Sequence, residues 1–375
     1  MHLAAAAKRL ARTRSKAAPP KAVAVAVAVA VAGAAAVAQP TPTNLPKIVS
    51  LFCGAGGLDW GFDKEGFSIP LAIDISDAAI RTHKMNFSGT IGVASDLIKL
   101  GPAGVCKLVN AALPAKSRIG VIGGPPCQGF SRANTGAQAD DPRNQLPQLY
   151  LDIVRRLKRI HTVEFVVFEN VLGIRDKRHA DTYKALMDGL DSLGFDVTEN
   201  ELCALDFGVP QNRRRIVLSA MRKRQGYGKV SPKGRIGPRT VREAIEGLPT
   251  PQYFEKVLDR SRFPEHVNHW TMKPKSPRFF EAEQRTGEGR SFKRLSWDDA
   301  SPTIAFGHRE IYIHPNGTRR LSIYEAMLLQ GFPKSFVLEG NLSEQVEQVS
   351  NAVPPPLARS IAAAIKSAMY AKSKT

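Results

Sequence analysis

The segment Ile48-Val49-Ser50-Leu51-Phe52, followed at once by Gly54-Ala55-Gly56-Gly57, constrains this chain more than any other feature. The short apolar run reads as a buried strand, the glycines as a tight turn, and Leu58 onward as a helix. Strand, glycine turn and helix make the first unit of a doubly wound parallel sheet. Glycines let the backbone approach a ligand at the strand's carboxyl end. The next apolar run, Ile69 to Ile73, ends in Asp74, an acid placed to accept hydrogen bonds from ribose hydroxyls. A further acid, Asp96, follows Gly92-Val93-Ala94-Ser95 and is placed for an adenine amino group. The glycine spacing is not that of dinucleotide enzymes, and no lysine follows as in a phosphate-binding loop. A cofactor with a nucleoside but no phosphates fits; the competing reading is a glycine turn that holds nothing.

A second strand candidate, Ile119 to Ile122, runs into Gly123-Gly124-Pro125-Pro126-Cys127-Gln128-Gly129-Phe130-Ser131. Two glycines and two prolines fix a bend at a strand's carboxyl end, where open sheets place their chemistry. Cys127 at its apex is presented as a nucleophile needs to be. The polar, Gly/Asp/Asn-rich residues that follow, to 145, read as a lid. Glu169 follows another apolar strand, Val163 to Phe168, and so lies at the same edge. Three arginines precede Ile216-Val217-Leu218, so Arg213 and Arg215 point to one side of a strand and Arg214 to the other. Each feature has a plain alternative: a lone cysteine is usually a small buried hydrophobe, which is the reading for Cys53, Cys106 and Cys203. A lone glutamate can serve a helix N-terminus, and an arginine run is usually solvated.

The charge balance narrows the partner. Lys and Arg number 53 against 34 Asp and Glu, a formal net charge of +19. A chain this basic points to a polyanion. Four scattered cysteines exclude a disulfide framework or a zinc ribbon and suggest a reducing compartment. The histidines show no ligand spacing, so no metal is expected. Residues 1–46 form a low-complexity tail, basic first and then Ala/Val-rich from Ala22 to Ala38. It resembles an export signal or a short membrane span, but the enzyme-like remainder favours a poorly ordered extension and a cytoplasmic protein with no membrane partner. Discounting the tail's six basic residues leaves a large basic excess.

Gly-Pro-Pro-Cys-Gln-Gly-Phe-Ser at 124–131 resembles the catalytic motif of the cytosine-5 DNA methyltransferases. The family's other motifs are matched in order. Phe52 to Gly57 resembles its S-adenosylmethionine motif, Asp141-x-Arg143-Asn144-x-Leu146 the end of its catalytic loop, and Phe168-Glu169-Asn170-Val171 its Glu-Asn-Val motif. Gln211-x-Arg213-x-Arg215 resembles its Gln-x-Arg-x-Arg motif. Arg319-x-Leu321-Ser322, with Glu325 and Leu329 to Pro333, resembles the motif that organises the small domain, and Asn351-Ala352-Val353-Pro354 the last motif. The match covers about 47–370 with a gap at 222–300; several motifs in one order are far more specific than one. Departures are Ser350 for a common Gly, Tyr324 for an Arg, and Ile75 for an aromatic. None touches the reaction centre, though Ile75 bears on cofactor affinity.

The resemblance implies a methyl transfer from S-adenosylmethionine to carbon 5 of cytosine. Cys127 adds to carbon 6, so that carbon 5 can attack the sulfonium methyl. Glu169 protonates ring nitrogen 3, Arg215 holds the exocyclic oxygen and orients Glu169, and Arg213 lies nearer the thiol. The base that removes the carbon 5 proton is not identified; bound water would serve. Phe52, Gly54, Gly56, Gly57, Asp74, Ile75, Asp96, Pro126, Asn351 and Val353 are the implied cofactor residues. The cytosine must leave the duplex, with Ser131 and Arg143 as candidate phosphate contacts.

The expected fold is α/β, a doubly wound Rossmann-like methyltransferase sheet with a second, smaller target-recognition domain. The catalytic domain spans 47–221 and is completed by 346–372. Residues 222–345 form the small domain, whose 222–294 segment is rich in Lys, Arg, Pro, Gly and aromatics, as a major-groove reader would be. The expected partner is double-stranded DNA, the expected state a monomer, and a cognate restriction endonuclease a possible companion. An RNA-directed relative and a non-catalytic DNA-binding descendant are the alternatives. The basic insert argues against the first, and the full set of catalytic residues against the second.

Overall fold

A computed structural model describes residues 45–126, 145–254, 263, 265–274, 293–303 and 312–371. The basic and Ala/Val-rich tail therefore lies outside the described residues, as do Cys127, Ser131, Arg143 and most of the basic residues between 255 and 292. Among the described residues, no helix is long and apolar enough to cross a membrane.

The apolar runs form the strands expected of them. In chain order the first half contains β1 (Lys47–Leu51), α1 (Gly57–Lys64), β2 (Leu71–Asp74), α2 (Asp77–Asn86), β3 (Ile91–Ala94), α3 (Leu97–Ala112), β4 (Arg118–Gly123), α4 (Leu146–Leu157) and β5 (Thr162–Asn170). Then come α5 (Ala180–Ser192), β6 (Phe195–Cys203), the two-residue β7 (Gln211–Asn212) and β8 (Arg214–Arg222). One seven-stranded sheet takes the order β3-β2-β1-β4-β5-β8-β6. β8 is antiparallel to both its neighbours, while the other pairings are parallel. β1, β4 and β5 sit at the centre and are almost wholly buried, as two-sided coverage by helices requires.

One face is covered by α3, α4 and α5, the other by α1 and the last helix, α9 below. α4 begins three residues before the expected Leu149, because Pro147 is at home in a first helical turn. The remaining described elements are short: α6 (Val241–Ile245), the two-residue strands β9 (Gln252–Tyr253), β10 (Trp270–Thr271), β11 (Lys293–Arg294), β12 (Ser301–Pro302) and β13 (Tyr312–Ile313), then α7 (Ile323–Leu329), α8 (Leu342–Asn351) and α9 (Pro355–Tyr370). Trp270, Tyr324, Phe332 and Phe336 share a buried cluster with Phe87, just after α2, and Ala55 of the glycine turn. The chain after 263 thus packs directly on the first sheet unit.

α9 returns to the start of the chain and lies on α1. Gly61 makes that approach possible: a Cβ there would sit 2.3 Å from the backbone carbon of Ala358. Gly61→Ala must push the two helices apart. We expect a loss of about 1–3 kcal/mol, the range for overpacking a close contact, read as a lowered midpoint in thermal or urea unfolding.

Candidate active site at the carboxyl edge of the sheet

The carboxyl ends of β1, β2, β4 and β5 open into one cavity of about 550 Å³, within the range of cofactor sites. It lies where the strand order reverses between β1 and β4, the place open α/β sheets offer to ligands.

Three left-handed residues shape the turn after β1: Phe52 at φ 53°, Gly54 at 53° and Gly56 at 91°. That conformation is uncommon for an aromatic residue and marks local strain. Phe52, Gly54 and Gly57 line the cavity. A Cβ on Gly54 would meet nothing within 4 Å, so its backbone faces open space. Gly56 does not line the cavity; a Cβ there would reach 2.5 Å from the Phe87 ring, so it serves packing. Asp74 accepts from the Gly54 and Ser76 backbone N–H groups, each at 2.8 Å, which fixes its carboxylate at the cavity wall. Burial raises its pKa, partly offset by those bonds. Ile75 also lines the cavity, yet is 71% exposed and so available to cover a flat ring. Asp96 caps α3 through the Ile98 N–H at 2.9 Å and is not among the lining residues.

The other end holds the groups proposed for chemistry. Glu169, at the end of β5, is 7% exposed, and Arg215 Nε lies 3.0 Å from its Oε1. Burial raises the Glu169 pKa above the usual carboxylate range, against the lowering pull of Arg215 and Arg213. Gly124 lies close against it, since a Cβ there would be 2.8 Å from Oε2. Asn170 donates to the Pro125 carbonyl at 3.3 Å, which ties the Glu-Asn-Val strand end to the Pro-Pro turn. Pro125 and Pro126 line the cavity, and the chain passes from them to Cys127.

Arg213 and Arg215 both line the cavity, while Arg214 turns outward to Glu201 at 3.3 Å, as alternation requires. Arg213 donates to the Ser350 carbonyl at 2.9 Å and so holds the turn carrying Asn351 and Val353, which line the same cavity. Gln211 donates to Gln330 Oε1 at 2.7 Å, and Gln330 donates to the Ala352 carbonyl at 2.6 Å. Two motifs and the Asn-Ala-Val-Pro turn are thereby laced together. A Cβ on Gly57 would meet the Val353 carbonyl oxygen at 2.3 Å, which presses that turn onto the start of α1.

Sequence reasoning missed several lining residues. Thr303 reaches the cavity because β12 pairs with β7, and its hydroxyl donates to the Asn212 carbonyl at 2.9 Å. Ser50, Asp59, Glu344, Glu347 and Gln348 also line it. An acid in a first helical turn, such as Asp59, reads as ordinary helix chemistry, and nothing in the spacing joins it to His83, its partner 24 residues on.

The cavity suits the expected cofactor. Its volume, the open Gly54 backbone and the fixed Asp74 carboxylate fit a nucleoside joined to an amino acid. Among the described residues the lining cations are Arg213 and Arg215, near Glu169, so the glycine turn offers no cation to a phosphate.

Comparison with known proteins agrees. The profile of the C-5 cytosine-specific DNA methylase family matches residues 46–367. Type II methyltransferase M.MthTI of Methanothermobacter thermautotrophicus is 32% identical, over 85% of this chain and 96% of that protein. Type II methyltransferase M.NmeDI of Neisseria meningitidis serogroup C is 30% identical, over 88% of this chain and 86% of that protein. A crystal structure described as a candidate DNA modification methyltransferase from an E. coli prophage superposes with a TM-score of 0.69 at 25% identity, covering 87% of this chain and all of that one. The chain belongs to the C-5 cytosine-specific DNA methylase family.

Proposed function

We propose that this protein methylates carbon 5 of a flipped-out cytosine within a specific sequence of double-stranded DNA, through a covalent Cys127 adduct. The observation that carries the reading is the buried Glu169–Arg215 pair, beside the turn that leads to Cys127 and in the same cavity as Gly54 and Asp74. S-adenosylmethionine, held by Phe52, Gly54, Gly57, Asp74, Ile75, Pro126, Asn351 and Val353, supplies the electrophilic methyl group that carbon 5 takes up. Gly56 supports that wall through packing, and Asp96 would reach the adenine only from its capping position on α3.

The residues divide the rest of the work. Cys127 Sγ, as thiolate, bonds to carbon 6 and drives electron density toward carbon 5. Glu169 gives a proton to ring nitrogen 3 as charge builds there, and its raised pKa favours the protonated form it needs. Arg215 orients Glu169 and holds the exocyclic oxygen, while Arg213 adds positive charge to the site. Loss of the carbon 5 proton, water being the acceptor we favour, then expels the thiolate, and nitrogen 3 returns its proton to Glu169. Ser131 and Arg143, which lie outside the described residues, would contact the phosphates of the everted nucleotide.

We assign residues 47–221 and 346–372 to the catalytic unit and 222–345 to a smaller target-recognition unit, supported by the basic and aromatic content of the latter. The names of the relatives support a place in a restriction-modification system with a cognate endonuclease. A monomer acting on cytoplasmic DNA completes the reading.

Bisulfite sequencing of DNA from cells that express residues 47–375 tests it. Protection of cytosines within one short sequence is the expected result, and it names the target. Uniform conversion of all cytosines overturns the proposal.

A further inference from the structure

The cavity end nearest the glycine turn is negatively charged beyond what a ribose needs. Ser50 Oγ donates to Asp59 Oδ1 at 2.6 Å, and His83 Nε2 lies 2.7 Å from Asp59 Oδ2. Ser50 is 1% exposed and Asp59 and His83 are 0% exposed, yet Ser50 and Asp59 line the cavity. Both hydrogen bonds fix the carboxyl in place. The Asp59 charge is felt at its neighbours, where it helps raise the pKa of Asp74 and of the Cys53 thiol. Glu344 and Glu347 line the wall contributed by α8. Among the described residues, the cations that line the cavity, Arg213 and Arg215, act on Glu169.

The α8 wall also holds Gln348. It lines the cavity at 6% exposure and donates through Nε2 to the Glu339 carbonyl at 2.8 Å. That bond fixes the amide's orientation, because only its NH₂ end can donate. Its Oε1 is left buried with no partner among the described residues. That oxygen is enclosed by protein, so Gln348 shapes the wall and does not offer it to the cavity.

We infer that Asp59 is a buried counter-charge that makes this cavity prefer the cationic methyl donor over the spent product. The inference rests on the reading of the cavity as the S-adenosylmethionine site. The donor carries a sulfonium, an ammonium and a carboxylate, a net single positive charge. Transfer of the methyl group removes the sulfonium charge and leaves S-adenosylhomocysteine neutral overall. A fixed anion in a low-dielectric wall therefore attracts the donor and acts little on the product. Asp59 is a positioning residue that works through its field, with Ser50 and His83 holding the carboxylate in place. The consequence is release of product biased by the reaction itself.

Calorimetric titration of the full chain with S-adenosylmethionine and with S-adenosylhomocysteine tests this without turnover. In Asp59→Asn the donor should bind roughly tenfold more weakly and the product less than about twofold more weakly, as loss of one buried charge predicts. Glu347→Gln, at an exposed position, should shift the donor-to-product ratio the same way by about twofold, as a screened charge would. It decides the matter if Asp59→Asn fails to fold. An unchanged ratio in the Asp59 and Glu347 variants overturns the charge assignment. Failure of the unsubstituted protein to bind either ligand overturns the cofactor reading itself.

Discussion

Cys127→Ser is expected to abolish methyl transfer and leave S-adenosylmethionine affinity unchanged. A serine hydroxyl is far harder to ionise than a thiol, whose free pKa is about 8.5, so the variant would lose the proposed nucleophile at nearly the same side-chain size. Single-turnover methylation should fall by at least about a thousandfold, the order seen when a covalent nucleophile is removed. No other cysteine can substitute. Cys53 lines the same cavity, but burial, Asp74 and Asp59 push its thiol well above the ordinary range, so it stays protonated. Cys106 is sealed in the core beneath the sheet, and Cys203 is half-buried with its thiol donating to Asn212 at 3.5 Å, less enclosed than the small-hydrophobe reading expected. Duplexes carrying 5-fluorocytosine supply the sharper test. Fluorine at carbon 5 cannot leave as a proton, so the adduct should persist in the unsubstituted protein and be missing in Cys127→Ser. Substantial turnover by the serine variant, or an adduct mapped to another residue, refutes the assignment.

What was legible in the sequence was the part of the fold that local pattern determines. β1, β4 and β5 are continuous apolar runs because both their faces are covered, and the glycine turn follows from the close approach it must allow. Glu169 could be placed at the carboxyl edge because a strand's end is also its direction. β6 was not legible: Phe195–Cys203 is an edge strand with several exposed polar residues and shows no buried run. Nor was the insertion of β8 between β5 and β6, since pairing partners far apart in the chain leave no local mark. The same reason hid the lacing of Gln211 to Gln330 and of Arg213 to Ser350: the motifs were visible, their mutual contacts were not. Thr303 escaped because a two-residue strand carries no periodicity to read.

Glu169→Gln should leave donor affinity near that of the unsubstituted protein and lower kcat by about 10²- to 10⁴-fold, the range for a general acid. Glutamine keeps the size of the carboxyl and can still lie beside Arg215, but it holds no acidic proton to give to nitrogen 3. A purely structural role for the Glu169–Arg215 pair would instead lower stability and donor binding together. The pH dependence separates the two further. Burial outweighs the two arginines and raises the Glu169 pKa, so the proton is retained to higher pH than in a free carboxylate. Below that raised value, the rate of the chemical step should climb with pH as more Cys127 ionises. Above it, the gain in thiolate is cancelled by loss of the proton on Glu169, and the profile should flatten. Glutamine does not titrate, so the small residual rate of Glu169→Gln should keep rising with pH until the thiol itself is ionised. Single-turnover rates with presaturated donor, measured across pH for both proteins, read this directly. A residual profile that flattens where the unsubstituted one does would show that the titrating group is not Glu169, and the proton on nitrogen 3 would then have to come from elsewhere in the cavity.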